Sequence, residues 1–439
     1  MEVKPVGTTP VRSLLEVLRE RGFIQQTTDD ETDDRPLEKL LSSKRVTGYA
    51  GFDPTASSLH VGNLVPVMGL RHLQDSGHRP LVIVGGGTGM VGDPSGKTQL
   101  RKVLGAEEIQ ANLDTVRAQL SRYLELAPRG QEAGEADSGD KRGSMLNNVD
   151  WLLPLNYIEF LREVGRHFSI NRMLAAESVK LRLESEGGLS FLEFNYSLLQ
   201  AYDFYYLNRH YDCELQMGGG DQWGNIVAGT ELIRRASGRR AHGITFPLIT
   251  TASGRKMGKT ETGAIWLDPE RTSPYDFYQY WINTDDRDVG RFLRLFTLLP
   301  LEKIRELEAL TGSETRRAKE VLALETTALT HGREEALKAQ EAARALFGGG
   351  RPGADGASIP TQEIPLAELE KGILAVNLFA ETKLCDSRSA ARRLAAQNGL
   401  YVNDKPIPGD RVLASSDLED GAILLRAGKK KYLRVVVKE

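Results

Sequence analysis

The sequence predicts an α/β protein of two or three domains: a parallel sheet with helices packed on it, then a helical stretch, then a small α+β module. Three observations carry this expectation. Short apolar runs alternate with amphipathic stretches from Val46 to about residue 268, the pattern of strands joined by helices. From Pro274 to residue 346 the pattern is helical nearly throughout. Residues 371–439 then hold 13 Lys and Arg against 8 Asp and Glu, a net of +5 in a chain whose total is −3. Positive charge is therefore gathered at one end, and the whole is no uniformly basic nucleic-acid coat.

A chain of 439 residues is long for one domain, and 40% hydrophobic with 27% charged residues is a globular composition. Its two cysteines, Cys213 and Cys385, are far apart and in no metal-ligand spacing. A disulfide framework and a zinc ribbon are thereby disfavoured, and a reducing cytoplasm is expected. No apolar run approaches the ~20 residues needed to span a bilayer, so no membrane partner is expected. The N-terminus lacks an apolar signal core, and Asp29-Asp30-Glu31 with Asp33-Asp34 argues against an Arg-rich transit peptide.

Taken in order, residues 1–45 read as a short amphipathic helix over 11–24, with Leu14, Leu15 and Leu18 on one side, and then an acidic linker. The α/β domain spans 46–268. Arg45–Tyr49 is an expected strand, and Val61–Asp75 an expected helix that Gly77 ends as a left-handed cap. Pro80–Val84 (PLVIV) is a buried-type strand running into Gly85–Gly87. Residues 128–144, rich in Gly and acids with no apolar period, read as a flexible surface insertion. A helical domain is expected over 269–346. Ser273-Pro274 supplies its N-cap and first-turn proline, and a long amphipathic run covers Thr315 to Leu346. A glycine-rich linker over 347–364 precedes the basic module, 365–439.

The glycine loop after Val84 holds two tempting matches. Gly87-Thr88-Gly89-Met90-Val91-Gly92 fits GxGxxG, but helical sequence stands where a strand with an acidic end should follow ~20 residues on. Gly92-Asp93-Pro94-Ser95-Gly96-Lys97-Thr98 is one residue short of a phosphate loop, and Pro94 removes an N–H that such a cradle uses. Both are set aside, and with them a nicotinamide-dependent oxidoreductase.

Four segments carry chemistry instead. In Tyr49-Ala50-Gly51-Phe52-Asp53-Pro54-Thr55 followed by His60-Val61-Gly62-Asn63, the second part opens a helix, where free N–H groups and the dipole favour phosphate. Ser253-Gly254-Arg255-Lys256-Met257-Gly258-Lys259-Thr260 puts two lysines three apart on a glycine-flanked loop, suited to folding over a triphosphate. In Glu193–Asp203, Tyr196, Gln200 and Asp203 fall at i, i+4 and i+7 on one helix face. In Gln216–Asn225 (QMGGGDQWGN), three glycines open the backbone at an expected strand end. Each has a plainer reading: a helix-start histidine, a solvated basic loop, a solvent-facing polar stripe, a turn.

Together and in this order, the histidine and lysine segments resemble the HIGH and KMSKS signatures of class I aminoacyl-tRNA synthetases. YxGFDPTxxSLHxG, GDPSGK, GGxDQWGN and KMGK resemble the bacterial tyrosyl-tRNA synthetase family in particular, over essentially the whole chain. The resemblance implies a Rossmann-like catalytic domain, a helical anticodon-binding domain and a small S-four-type RNA-binding domain. It also implies two steps: the tyrosine carboxylate attacks the α-phosphorus of ATP, and the tyrosyl group then passes to the terminal ribose of tRNA(Tyr).

In this family's terms Tyr49 and Asp203 meet the substrate phenol, and Asp93, Tyr196 and Gln200 hold its ammonium. Gln222 orients its carboxylate, and Gln216 lies in the tyrosine pocket. Gly51, Asp53, His60, Gly62, Asn63 and Asp221 are implied for ATP, with Lys256 and Lys259. Thr55, His60, Lys97, Arg101, Lys256 and Lys259 are the candidate donors to the departing pyrophosphate. Mg²⁺ accompanies ATP, and no tightly bound cofactor or structural metal is implied. A homodimer is implied as well.

Arg388, Arg392 and Arg393, with Lys429, Lys430 and Lys431, are the expected RNA contacts of the last module. Three departures bear on the ribose and phosphate contacts: Asn63 replaces the second histidine of HIGH, KMGKT replaces KMSKS, and Ala50 stands where some relatives carry a polar side chain. Tryptophanyl-tRNA synthetase, with the same fold and signatures, is the nearest rival. A catalytically inactive RNA-binding scaffold is a more distant one.

Overall fold

Six short strands assemble into one sheet. They are β1 (Gln26–Thr27), β2 (Thr47–Phe52), β3 (Arg79–Val84), β4 (Ser144–Asn147), β5 (Cys213–Gly219) and β6 (His242–Phe246), in the spatial order β1-β6-β5-β2-β3-β4. All neighbours are parallel except β1, which pairs antiparallel with β6 at the edge. Every residue of β3 is buried, as a strand covered on both faces requires. The computed structural model describes residues 12–29, 36–53, 56–93, 106–129, 142–184, 188–254, 257–260, 263–347, 361–419, 421–428 and 431–438.

By its packing the chain divides into two units, Met1–Arg271 with Thr284–Leu322, and Thr272–Asn283 with Ala323–Glu439. The expected helical span 269–346 is thus shared between them. Part of the reason is Arg21, on the helix Leu14–Arg21, which is 7% exposed. Its guanidinium donates to the carbonyls of Arg294, Thr297 and Leu299 at 3.0, 2.9 and 2.6 Å. These include the last carbonyl groups of the helix Asp286–Phe296 and of its exit, which would otherwise lack donors.

Several expected boundaries shift, each for a local reason. The strand expected at 45–49 starts at Thr47 and runs on to Phe52. A 3-10 turn, Val61–Asn63, opens the expected helix because His60 caps it through its side chain, and the α-helix is Leu64–Asp75. Gly77 does take the left-handed conformation, at φ 87°. The surface insertion expected at 128–144 ends inside the sheet: Gly143 N–H donates to Glu125 C=O, and Ser144, 1% exposed, begins β4. Residues 130–141 of that insertion lie outside the described residues. The long run from Thr315 is two helices, Thr315–His331 and Arg333–Phe347, parted at Gly332 with φ 95°.

In the second unit, Ser273 caps the helix Pro274–Ile282 through Asp276 N–H, with proline in the first turn as expected. That helix buries Tyr275, Phe277, Tyr278 and Trp281 and packs on Arg333–Phe347. The C-terminal module is a five-stranded sheet, Lys405–Pro406, Leu400–Val402, Ala422–Ala427, Lys431–Lys438 and Thr361–Pro365 in spatial order. Its last strand belongs to the stretch expected as linker. The helices Ala375–Glu381 and Arg388–Ala396 close a core of Val376, Phe379, Leu400, Ile423, Leu425 and Val435.

Candidate active site

The polar residues of the α/β unit converge at the carboxyl ends of β2 and β5, between which the strand order reverses, the usual ligand position in an open α/β sheet. Tyr49 on β2 and Gln216 on β5 are register partners, so both side chains leave the same face. The helix Tyr196–Tyr211 crosses that face and buries Tyr196, Asp203 and Phe204, with Gln200 half-buried. Phe204 packs edge-on against Tyr49, ring centres 5.3 Å apart.

Asp203 is 4% exposed, and its two oxygens have different partners. Trp151 Nε1–H donates to one at 2.7 Å, and Asn148 Nδ2–H to the other at 3.0 Å. Burial pushes this carboxyl up to about 7, against the lowering effect of the Asn148 and Trp151 hydrogen bonds. The Tyr49 phenol is pushed well above its ordinary value, by burial first and by the Asp203 charge second. The Tyr49 hydroxyl and Gln216 Oε1 are buried with no hydrogen-bond partner among the described residues. A buried hydroxyl without a partner costs ~1–3 kcal/mol, so Tyr49 stands where a polar ligand atom is favoured.

Asn148 also joins this pocket to the glycine loop. It accepts from Gly87 N–H at 2.7 Å and donates to Thr88 Oγ1 at 2.9 Å. Neither Asn148 nor Trp151 was among the residues expected from sequence, since nothing local marks them and their link to Asp203 crosses more than fifty residues.

A second network runs on from there. Gln222 Nε2–H donates to Asp93 Oδ2 at 2.8 Å, while Asn225 Nδ2–H donates to Gln222 Oε1 at 3.2 Å and to Gln200 Oε1 at 3.0 Å. Asp93, Gln200 and Gln222, expected around the two ends of an amino acid, are thus tied together by Asn225. Asn225 closes the QMGGGDQWGN motif, and nothing in the sequence gives it a role of its own.

The HIGH-like and KMSKS-like segments also meet. Asn63 Oδ1 accepts from His60 N–H and His60 Nδ1 accepts from Gly62 N–H, both at 3.0 Å. Since Nδ1 accepts, the ring proton of the neutral imidazole sits on Nε2, which makes that nitrogen a donor. A Cβ at Gly62 would fall 2.7 Å from His60 Cε1 and 3.2 Å from the Met257 carbonyl oxygen. Gly258, at φ 78°, would place a Cβ 2.8 Å from Gly62 N. Glycine at the serine position of KMSKS therefore suits both the left-handed backbone and the close approach.

Gly51 is exposed with open space above it, and Asp53 reaches toward Gly85, whose Cβ would lie 3.0 Å from Asp53 Oδ1. Asp221 is exposed in the turn after β5, its carboxylate against Gly219. Thr55, Lys97, Arg101 and Lys256 lie outside the described residues. Lys259 is in a two-residue strand paired with Ala264, and its side chain lies outside the described ones.

In the C-terminal module Arg388, Arg392 and Arg393 are exposed on a helix whose buried positions are Ala391 and Ala395. Lys431 is exposed at a strand start, and Lys429 and Lys430 lie outside the described residues.

The chain is similar over most of its length to known proteins of one family. A family model described as tRNA synthetases class I (W and Y) matches residues 41–348. The tyrosine–tRNA ligase of Desulfatibacillum aliphaticivorans is 54% identical over 97% of this chain and 99% of its own length. That of Clostridium beijerinckii is 50% identical over 97% and 100%. Among solved structures, a C-terminally truncated mitochondrial tyrosyl-tRNA synthetase of Coccidioides posadasii matches at TM-score 0.64 and 33% identity, over 75% of this chain and 91% of that one. A tryptophanyl-tRNA synthetase of Encephalitozoon cuniculi bound to tryptophan matches at TM-score 0.51 and 13% identity, over 73% and 87%, a likeness of fold alone.

Proposed function

We propose the residue roles below on one premise: the chain belongs to the class I tRNA synthetases (W and Y) and, within them, to the tyrosine–tRNA ligases. It activates tyrosine with ATP, releasing pyrophosphate, and transfers the tyrosyl group to the 3′ end of tRNA(Tyr).

The observation that carries the pocket assignment is the buried Tyr49 hydroxyl without a partner, electrostatically coupled to the Asp203 carboxylate. A phenol satisfies both groups, donating its O–H to Asp203 and accepting from Tyr49. An indole N–H can only donate and leaves Tyr49 unpaired; phenylalanine also leaves Tyr49 unpaired and brings no donor to Asp203, which keeps only its Trp151 and Asn148 bonds. Selection against phenylalanine then reaches ~10⁴–10⁵ without editing, a magnitude taken from tyrosyl-tRNA synthetases themselves and not worked out from these distances. The Asp93–Gln222–Asn225–Gln200 network supports Asp93, Gln200 and Tyr196 as holders of the ammonium and Gln222 as the orienter of the carboxylate.

Catalysis is positioning plus electrostatic stabilisation of the departing pyrophosphate, with no covalent enzyme intermediate. His60 donates through Nε2–H, and Thr55, Lys97, Arg101, Lys256 and Lys259 supply the remaining donors. Gly51, Gly62 and Asn63 leave room for the nucleotide, and Asp53 and Asp221 take its polar edge. Mg²⁺ arrives with ATP. Phosphate oxygens and water would supply most of its ligands, as is usual for Mg²⁺ held with a nucleotide.

The helical span 269–346 serves anticodon recognition, and 365–439 acts as an S-four-type RNA-binding domain through Arg388, Arg392, Arg393 and Lys429–Lys431. Two copies associate through the apolar surface over 153–192, where Leu153, Tyr157, Ile158 and Phe191 are each more than half exposed. The enzyme works in the cytoplasm; among the described residues no helix is long and apolar enough to cross a membrane.

The test is amino-acid-dependent ATP–pyrophosphate exchange with tyrosine, tryptophan and phenylalanine. Tyrosine alone should support exchange, and Asp203→Ala should abolish that preference. Equal exchange with tryptophan, or an Asp203→Ala enzyme as selective as the wild type, would overturn the pocket assignment.

A further inference from the structure

The peptide that leads into His60 is held from a helix that no motif marks. Leu59 is buried between the strand Thr47–Phe52 and the turn Val61–Asn63. Its N–H needs an acceptor there, and Gln119 Oε1, on the helix Ala106–Leu120, accepts it at 2.9 Å. The same amide donates through Nε2–H to Ser58 Oγ at 3.0 Å. Ser58 Oγ in turn donates to the Leu59 carbonyl at 2.7 Å and accepts from Asp268 N–H at 3.3 Å. Leu267 N–H donates to that carbonyl as well, at 2.9 Å.

Three segments distant in the chain meet in this knot: the entry to His60, the helix Ala106–Leu120, and residues 267–268 beyond the lysine loop. A buried glutamine is ordinarily a core residue that has found partners. Two observations point further. Val116 and Leu120 on the same helix are buried and apolar, so an apolar side chain at 119 would serve packing. Both ends of the Gln119 amide go instead to the two residues before His60, across about sixty positions of chain. The His60 backbone follows directly, its own N–H bonded to Asn63 Oδ1, so the place of Leu59 decides where the imidazole is carried.

We propose that Gln119 is a positioning residue for tyrosine activation: by gripping Ser58 and Leu59 it sets the His60 backbone, and so the reach of the imidazole to the nucleotide phosphates. The inference rests on the reading of His60 as a phosphate donor. Gln119 is buried beneath the segment, and its effect passes through His60.

The experiment measures the rate constant of tyrosyl-adenylate formation, the tyrosine dissociation constant and the Tm on the full-length enzyme. The variants are Gln119→Met, Gln119→Glu, Ser58→Ala, His60→Ala and the double variant His60→Ala with Gln119→Met. Gln119→Met keeps the length of the side chain but leaves the Leu59 N–H unpaired. It should slow adenylate formation about tenfold at unchanged tyrosine affinity. Gln119→Glu retains the oxygen that this N–H needs and should recover part of the rate. Ser58→Ala keeps the Gln119–Leu59 bond and guards against a folding defect; it should slow the step about threefold. In the His60→Ala background, Gln119→Met should add almost nothing.

A full Gln119→Met effect in that background overturns the proposal, as does a lowered Tm with an unchanged rate in an enzyme that His60→Ala slows. Tyrosine affinity that falls in step with the rate also overturns it, because the fold and not His60 is then disturbed. A silent His60→Ala removes the donor role of His60, and this proposal with it.

Discussion

Acidification should loosen tyrosine binding through one carboxylate. Burial raises Asp203 to about 7 in the ligand-free enzyme, and the phenol O–H needs the ionised form as its acceptor. The apparent dissociation constant is the intrinsic one divided by the ionised fraction. That fraction is about 0.9 at pH 8, about 0.1 at pH 6 and about 0.03 at pH 5.5 for a group titrating near 7. Affinity should therefore fall about tenfold per pH unit below 7, and roughly thirtyfold between pH 8 and 5.5. The ammonium and carboxylate of free tyrosine keep their charges across this window. Equilibrium dialysis with labelled tyrosine reads the effect, and Asp203→Asn is the control: weak binding with a flat profile. A flat wild-type profile, or an inflection near 7 that survives in Asp203→Asn, would refute the reasoning.

The same group should tilt stability. With its folded value raised above the ordinary 3.8, the native state binds the extra proton, so stability falls as pH rises from about 4 and levels off above about 7. Ionised Asp203 then costs roughly 4 kcal/mol, and the stability of Asp203→Asn relative to wild type should improve by roughly 2.5 kcal/mol between pH 5 and 8. Urea titrations at the two pH values test this, and a pH-independent difference refutes it. Gly69→Ala would set a Cβ 2.4 Å from Phe246 Cζ, on a ring that is 0% exposed. Overpacking there should cost about 1–3 kcal/mol, seen as a lowered Tm; an unchanged Tm means the helix can lift off the sheet freely. Ending the chain at residue 360 should spare tyrosine activation while crippling tRNA charging and reducing its salt sensitivity, and full charging would sink the RNA-binding role of the module. Ile158→Asp with Phe191→Asp should halve the mass seen by light scattering, whereas an unaltered mass places any dimer elsewhere.

Much of the site was legible because its signals are local. A helix start at Ser273-Pro274, the shared face of Tyr196, Gln200 and Asp203, and the glycine opening after β5 each follow from residues within one or two turns of chain. The break at Gly332 was missed for the opposite reason: the apolar period continues across it, and only the positive φ separates the two helices. The strand Thr361–Pro365 read as linker because its partner, Lys431–Lys438, lies seventy residues on.

By itself, then, the sequence determined the alternation of strands and helices, the family's motif residues and the basic character of the last module. Tertiary structure alone decided what each polar group answers to. Asp203 owes its raised pKa to burial and its orientation to Asn148 and Trp151, which reach it only because β4 ends beside β3 while the helix Tyr196–Tyr211 crosses the same face. Asn225 joins Asp93 to Gln200, and Trp266 meets His60 across two hundred residues. Periodicity is a property of neighbours in the chain, whereas desolvation and hydrogen bonding depend on neighbours in space, and strand order is what relates the two.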